Sequence, residues 1–153
     1  MIMFGLLKVL EERQSPFNGK IQVVKTLEGV RIVVGGVSQS GWLVRKVWDA
    51  ALKKIHKDRP DIERILVLGL GGGSVARLVK RYWPGSKIIG IDIDPDMVEL
   101  GKKYLGLGGV SNIKVFIEDA AGWVDKNKGK DFDLVLSDLY KGAVIPKEFV
   151  QDS

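Results

Sequence analysis

The sequence predicts an α/β fold, an open parallel sheet with helices on both faces, preceded by a small N-terminal β-hairpin region. Three observations predict it. Between residues 64 and 138, four short apolar runs alternate with helical patterns. Each run is continuous, the pattern of strands buried on both faces of a parallel sheet. Each run also ends in glycine or an acid. The expected division is a hairpin extension over 1–40 and a sheet domain over 41–153.

The elements follow in order. Lys20–Lys25 and Val30–Gly35 are β-branched runs around Thr26–Gly29, which reads as a hairpin. From Trp42 to Lys57, residues Val44, Val47, Trp48, Ala51, Leu52 and Ile55 recur at helical spacing, and Pro60 stops the run. Arg64–Leu68 is the first parallel strand, followed by glycines and a helix to about Trp83. Pro84-Gly85 turns the chain into a second strand, Lys87–Ile91, ending at Asp92. Pro95 opens a helix that Met97–Tyr104 continues. Asn112–Ile117 is a third strand, Ala120–Asp125 a short helix, Phe132–Leu136 a fourth strand, and Pro146–Gln151 the start of one more helix. Sheets of this kind carry further strands, so the last strand is expected either to be covered by another chain or to belong to a longer protein.

Composition narrows the function classes. The chain has 153 residues, 45% apolar and 28% charged, the balance of a globular protein with a core. It has no cysteine and one histidine, His56, so it cannot build a thiolate or His-rich metal site, and no metal is expected. His56 lies in KKIHKDRP and reads as a solvated last-turn residue rather than a base. The N-terminal apolar run is too short for a membrane span and lacks the features of a secretory signal, so a cytoplasmic location and no membrane partner are expected. A net charge of +5 permits an anionic partner. The basic residues are spread out, however, and read as solvated surface rather than a nucleic-acid face.

The chemistry is expected at the carboxyl ends of the parallel strands, where open sheets bind ligands. Strand one is followed by Gly69, Gly71, Gly72 and Gly73, strand two by Asp92 and Asp94 around Ile93, strand three by Glu118, Asp119 and Ala120, strand four by Asp138. Glycines let a ligand approach the main chain, and the following helix aims free N–H groups at it. Asp92, about 20 residues past the first glycine, suits two ribose hydroxyls. Asp119 can accept from an adenine amino group, and Ile93 and Ala120 offer apolar faces to the ring. Asp94 precedes proline and reads as a helix N-cap. Asp133 starts a strand at the far end and reads as structural.

The stretches ILVLGLGGGS, IIGIDIDPDMVELGKKYLGL, VFIEDAAGWV and FDLVLSDLY, in that order, resemble the class I S-adenosylmethionine-dependent methyltransferases, and more closely their spermidine-synthase-like branch. SPFNGKIQVVKTLEGVRIVVGGVSQSG is similar to the N-terminal β-region of that branch. The resemblance implies a Rossmann-like fold and S-adenosylmethionine or its decarboxylated form as cofactor. It places Gly69, Gly71 and Gly73 under the cofactor's amino-acid end, Asp92 on the ribose, and Asp119 with Ala120 at the adenine. Asp138 matches the family's catalytic acid. Gln39 matches a glutamine near the active site, and Tyr140 and Lys141 fall where the substrate is held. A homo-oligomer, a dimer through the hairpin region, and a small-molecule acceptor are further implications.

The departures redirect the function. Ser74 stands where spermidine synthases keep an acid beside the amino end of the decarboxylated cofactor, and Lys141 stands where they keep the acid that holds the polyamine. A carboxylate-to-ammonium exchange beside a cationic amine turns attraction into repulsion, about 1 to 4 kcal/mol for each sign at ~4 Å. A serine hydroxyl and helix-start N–H groups instead suit an intact carboxylate. The expected activity is therefore methyl transfer, with Asp138 as base. Aminopropyl transfer and a noncatalytic adenosyl-binding or assembly module are the alternatives. A nicotinamide oxidoreductase also satisfies G-x-G-x-x-A at Gly71, Gly73 and Ala76, but Glu118, Asp119, Ala120 and Asp138 argue against it.

Overall fold

The computed structural model describes residues 7–40 and 42–139. Among the described residues, eight strands and four helices follow one another: β1 (Lys8–Ser15), β2 (Gly19–Thr26), β3 (Gly29–Val34), β4 (Val37–Ser38), α1 (Trp42–Asp58), β5 (Arg64–Leu68), α2 (Ser74–Tyr82), β6 (Lys87–Asp92), α3 (Pro95–Tyr104), β7 (Ile113–Ile117), α4 (Ala120–Lys126) and β8 (Leu134–Ser137). A short 3-10 turn over Leu107–Gly109 follows α3.

They form two sheets. The antiparallel sheet runs β1-β2-β3-β4, and the parallel sheet runs β7-β6-β5-β8. The expected hairpin is β2–β3, with Thr26 opposite Gly29. The strand β1 went unread in the sequence because its alternation is broken. The register slips between Val9 and Glu11, where Leu10 is the extra residue of a bulge, and charges follow directly.

In the parallel sheet the side chains of β5 alternate between two apolar layers. Ile65 and Val67 join Leu52 of α1, Val75, Ala76 and Val79 of α2, and Val98 of α3 on one face. Leu66 and Leu68 meet Ala120 and Trp123 of α4 on the other. Helices thus cover both faces, as expected. Three details differ from the sequence reading. β5 is buried from Ile65 to Leu68, but Phe116 and Ile117 of β7 and Val135 of β8 are exposed. The α1 stripe is narrower than its pattern, since Leu52 is buried while Val47 is 65% exposed. And His56, in the last turn of α1, is half-buried rather than fully solvated: its ring lies 5.6 Å from Tyr82 and 5.3 Å from Trp83, with Nδ1 buried.

The two sheets meet through α3. Ile21, Val23, Ile32 and Val34 of the antiparallel sheet pack on Met97, Leu100 and Leu105. Arg13 of β1 pairs with Asp96 at 2.8 Å and Glu99 at 2.7 Å, and Glu11 pairs with Lys103 at 2.7 Å. α3 is therefore packed between the two sheets, with Val98 on the parallel one. Among the described residues no helix is long and apolar enough to cross a membrane. The stretch 146–151, expected to begin a helix, lies outside the described residues.

Candidate functional site

The strand order β7-β6-β5-β8 reverses direction between β5 and β8, so a crevice opens at their carboxyl ends. The glycine turn after β5 forms its floor. Gly69, Gly71 and Gly73 all have positive φ, at 79°, 52° and 84°. At Gly69 the requirement is also steric, because a Cβ there would lie 2.3 Å from the backbone oxygen of Asp138. The turn can therefore come up against the β8 end only as glycine.

Gly73 also caps α2 without a side-chain hydrogen bond. Its carbonyl receives the Arg77 N–H at 3.1 Å, which leaves the N–H groups of Ser74, Val75 and Ala76 with no partner among the described residues. These are the open donors of a helix start, at its positive end. Ser74 is half-buried at the first position of α2.

Across the turn, Asp92 ends β6. Its Oδ2 accepts from the Gly71 N–H at 2.6 Å, and its Oδ1 accepts from the Asp94 N–H at 2.9 Å. Both oxygens are thus fixed, and each keeps a lone pair for a ligand hydroxyl. Burial pushes the Asp92 carboxyl above the usual range, partly offset by these N–H donors. Ile93, next in the chain, is 42% exposed and free to face a ring.

Asp94 is the N-cap of α3, as its place before Pro95 indicates, and accepts from the Asp96 N–H. It does more than the sequence suggested. Its carboxylate is fully buried and also receives the Ser15 hydroxyl at 2.5 Å and the Asn18 side-chain amide at 2.6 Å. The β1–β2 turn is thereby bolted to the loop that carries Asp92. No local pattern could announce this, because the partners are 76 and 79 residues apart.

Asp119 caps α4, accepting from the Gly122 N–H at 2.8 Å, and is exposed beside buried Ala120. Glu118 pairs with Lys126. At the end of β8, Asp138 is half-buried, and its Oδ2 accepts from Trp48 Nε1 at 3.3 Å. Burial raises its carboxyl above the usual range, and the Trp48 bond partly lowers it. Trp48 had read only as part of the apolar stripe of α1. Asp133 sits at the opposite edge, accepting from the N–H groups of Glu63 and Arg64 at 3.1 and 2.7 Å. Gln39 is half-buried just past β4, its N–H donating to the Ile32 carbonyl. Tyr140 and Lys141 lie outside the described residues. The carboxyl edge therefore collects Gly69, Gly71, Gly73, Ser74, Asp92, Ile93, Asp119, Ala120 and Asp138, while Gln39 comes from the antiparallel sheet's side. Among the described residues no group of three or more His, Cys, Asp or Glu could hold a metal ion.

Comparison with known proteins agrees with this architecture. The family model described as Methyltransferase domain matches residues 65–148, more than half of the chain. A polyamine aminopropyltransferase of Vibrio vulnificus is 32% identical over 93 residues, 60% of this chain and 31% of that protein. Spermidine synthase from Thermotoga maritima superposes with a TM-score of 0.70 at 21% identity, over 85% of this chain and 46% of its own. Human Methyltransferase-like protein 13, solved in complex with SAH, has a TM-score of 0.56 at 26% identity, over 71% of this chain and 55% of its own. The chain thus spans about a third of the first relative's length and about half of each solved chain. With its glycine turn, acid-tipped strands and preceding antiparallel sheet, it belongs to the methyltransferase-domain family of the class I S-adenosylmethionine-dependent superfamily and carries the fold of the spermidine-synthase-like branch.

Proposed function

We propose that this chain forms the cofactor site of a methyltransferase that uses intact S-adenosylmethionine and a small-molecule acceptor. One observation carries the choice of cofactor. The uncapped start of α2 presents the unpartnered N–H groups of Ser74, Val75 and Ala76 and has no acid in its first turn. That end of the crevice suits a carboxylate and offers nothing to hold a lone ammonium. The complex of the human methyltransferase-like neighbour with SAH supports the same class of ligand.

The other residues fit an adenosyl group. The Gly69–Gly73 turn is a cradle that side chains would fill. Asp92, with both oxygens anchored by N–H donors, accepts two ribose hydroxyls. Asp119 accepts an adenine amino group, and Ile93 and Ala120 give the ring apolar contacts. The bound cofactor supplies an electrophilic sulfonium methyl group. Asp138 takes the acceptor's proton where the nucleophile carries one, and its raised carboxyl, steadied by Trp48, is the more effective base for it. Gln39, Tyr140 and Lys141 belong to the acceptor side of this reading. A homodimer through the antiparallel sheet is part of it too.

Aminopropyl transfer is the second reading, favoured by the polyamine aminopropyltransferase among the relatives. Titration calorimetry with S-adenosylmethionine, its decarboxylated form, methylthioadenosine and NAD separates the two. We expect S-adenosylmethionine to bind best. Preference for the decarboxylated form would sink the assignment of Ser74, and binding of NAD alone would sink the adenosyl-sulfonium reading.

A further inference from the structure

A cavity of about 230 Å³ lies between α1 and α2, lined by Arg45, Ser74, Arg77, Leu78 and Arg81. Residues 74, 77, 78 and 81 fall at i, i+3, i+4 and i+7, so they form one stripe of α2, and Arg45 of α1 faces it. None of Asp92, Asp119 or Asp138 lines the cavity. Leu78, 5% exposed, gives it an apolar wall.

Three guanidinium groups, all on solvent-exposed residues, line this space and concentrate positive charge there. The protein supplies one acid. Asp49 lies 3.3 Å from Arg81 and is shared with the Tyr82 hydroxyl at 2.8 Å. Arg77 donates to the Leu105 carbonyl at 2.7 Å, which orients the side chain without neutralising it. Arg45 is exposed and has no partner among the described residues.

We infer that this cavity binds a small oxyanion, of the kind a phosphate group on a small molecule presents, on the α1 side of Ser74 and outside the nucleoside contacts of Asp92 and Asp119. Guanidinium forks match phosphate oxygens in pairs, and the positive start of α2 adds to their field. The space is smaller than the ~300–1,000 Å³ that a whole cofactor-sized ligand occupies, so a single anionic group is the occupant that fits. The inference does not depend on which group the crevice transfers.

Calorimetry with inorganic phosphate and pyrophosphate, at constant ionic strength with chloride as control, tests it. We expect one pyrophosphate per chain. Arg45→Gln should weaken it at least about tenfold, the size of a lost charge-assisted bond, with an unchanged melting temperature. Arg45→Lys should fall between, because it keeps the charge and loses the fork. Saturation with methylthioadenosine, which occupies the nucleoside contacts and carries no carboxylate at Ser74, should leave pyrophosphate affinity within about twofold, since its contacts share no residue with the cavity. No binding, or binding that Arg45→Gln leaves intact, overturns the proposal. So does displacement of pyrophosphate by S-adenosylhomocysteine but not by methylthioadenosine, which assigns the arginines to the cofactor's carboxylate. A failure of the cofactor assignment is distinct: the chain would then bind pyrophosphate and no adenosyl ligand.

Discussion

Asp92 and Asp138 both end a parallel strand, and burial raises both carboxyls, yet their surroundings set them different tasks. Asp92 is clamped by the Gly71 and Asp94 N–H groups. Asp92→Asn places an amide NH₂ against one of these donors, so S-adenosylhomocysteine affinity should fall about tenfold or more by calorimetry. Unchanged affinity would remove Asp92 from the site. Asp138 has a single indole donor. Asp138→Asn should cut transfer by roughly 10²-fold or more, in kcat rather than in cofactor affinity, the scale of general-base catalysis. Stability should move the other way. A raised folded carboxyl favours the folded state below the ordinary carboxylate range and loses that contribution as pH rises through its folded value. At neutral pH the charged form is the costly one, so the neutral amide should melt no lower than the parent. Activity should rise with pH through the raised value, and a flat profile would contradict the base role.

At the scale of elements, α3 joins the two sheets. Gly101 lies against the glycine turn, where a Cβ would sit 2.6 Å from the Gly72 carbonyl oxygen. Gly101→Ala should cost about 1–3 kcal/mol in denaturant unfolding, because the clash is with backbone and cannot relax by a rotamer change. The same helix holds β1 through charge. Bonds from Lys103, Tyr104 and Arg13 lower the Glu11 carboxyl to about 2, well below the usual glutamate range. A lowered carboxyl stabilises above its unfolded value and loses that contribution as pH falls through the folded one. The protection of the β1 amides against hydrogen exchange, relative to the unstructured rate at each pH, should therefore fall below about pH 4, and the loss should be smaller in Glu11→Gln. Equal acid sensitivity of the two proteins would show that β1 is held by its apolar contacts alone.

Across the whole molecule, the antiparallel and parallel sheets share one buried carboxylate. Asp94 gathers Ser15, Asn18 and the start of α3, and its own N–H fixes Asp92. Asp94→Ala leaves three donors unsatisfied in a closed space. It should cost about 2–4 kcal/mol of stability and also weaken adenosyl ligands, read by denaturation and calorimetry on the same variant. Loss of stability with full ligand affinity would mean the loop keeps its shape without the N-terminal sheet.

The sequence by itself determined the parallel strands, their alternation with helices, and the set of groups at the carboxyl edge. Those features are local: continuous apolar runs, glycines that tolerate positive φ, and acids one step past a strand. It also located the cap at Asp94, since a cap before Pro95 needs only the next few residues, whereas the cap at Asp119 came from the structure. Tertiary structure decided what depends on residues far apart in the chain. A bulge hid β1, the half-burial of His56 awaited the packing of Tyr82 and Trp83, and Trp48 reached Asp138 across 90 positions. Most of all, it brought Arg45 of one helix over the arginine stripe of another. Spread along the chain, these basic residues read as solvated surface. They are exposed, as read, but α1 and α2 set three of them around one space, and spacing sets the field.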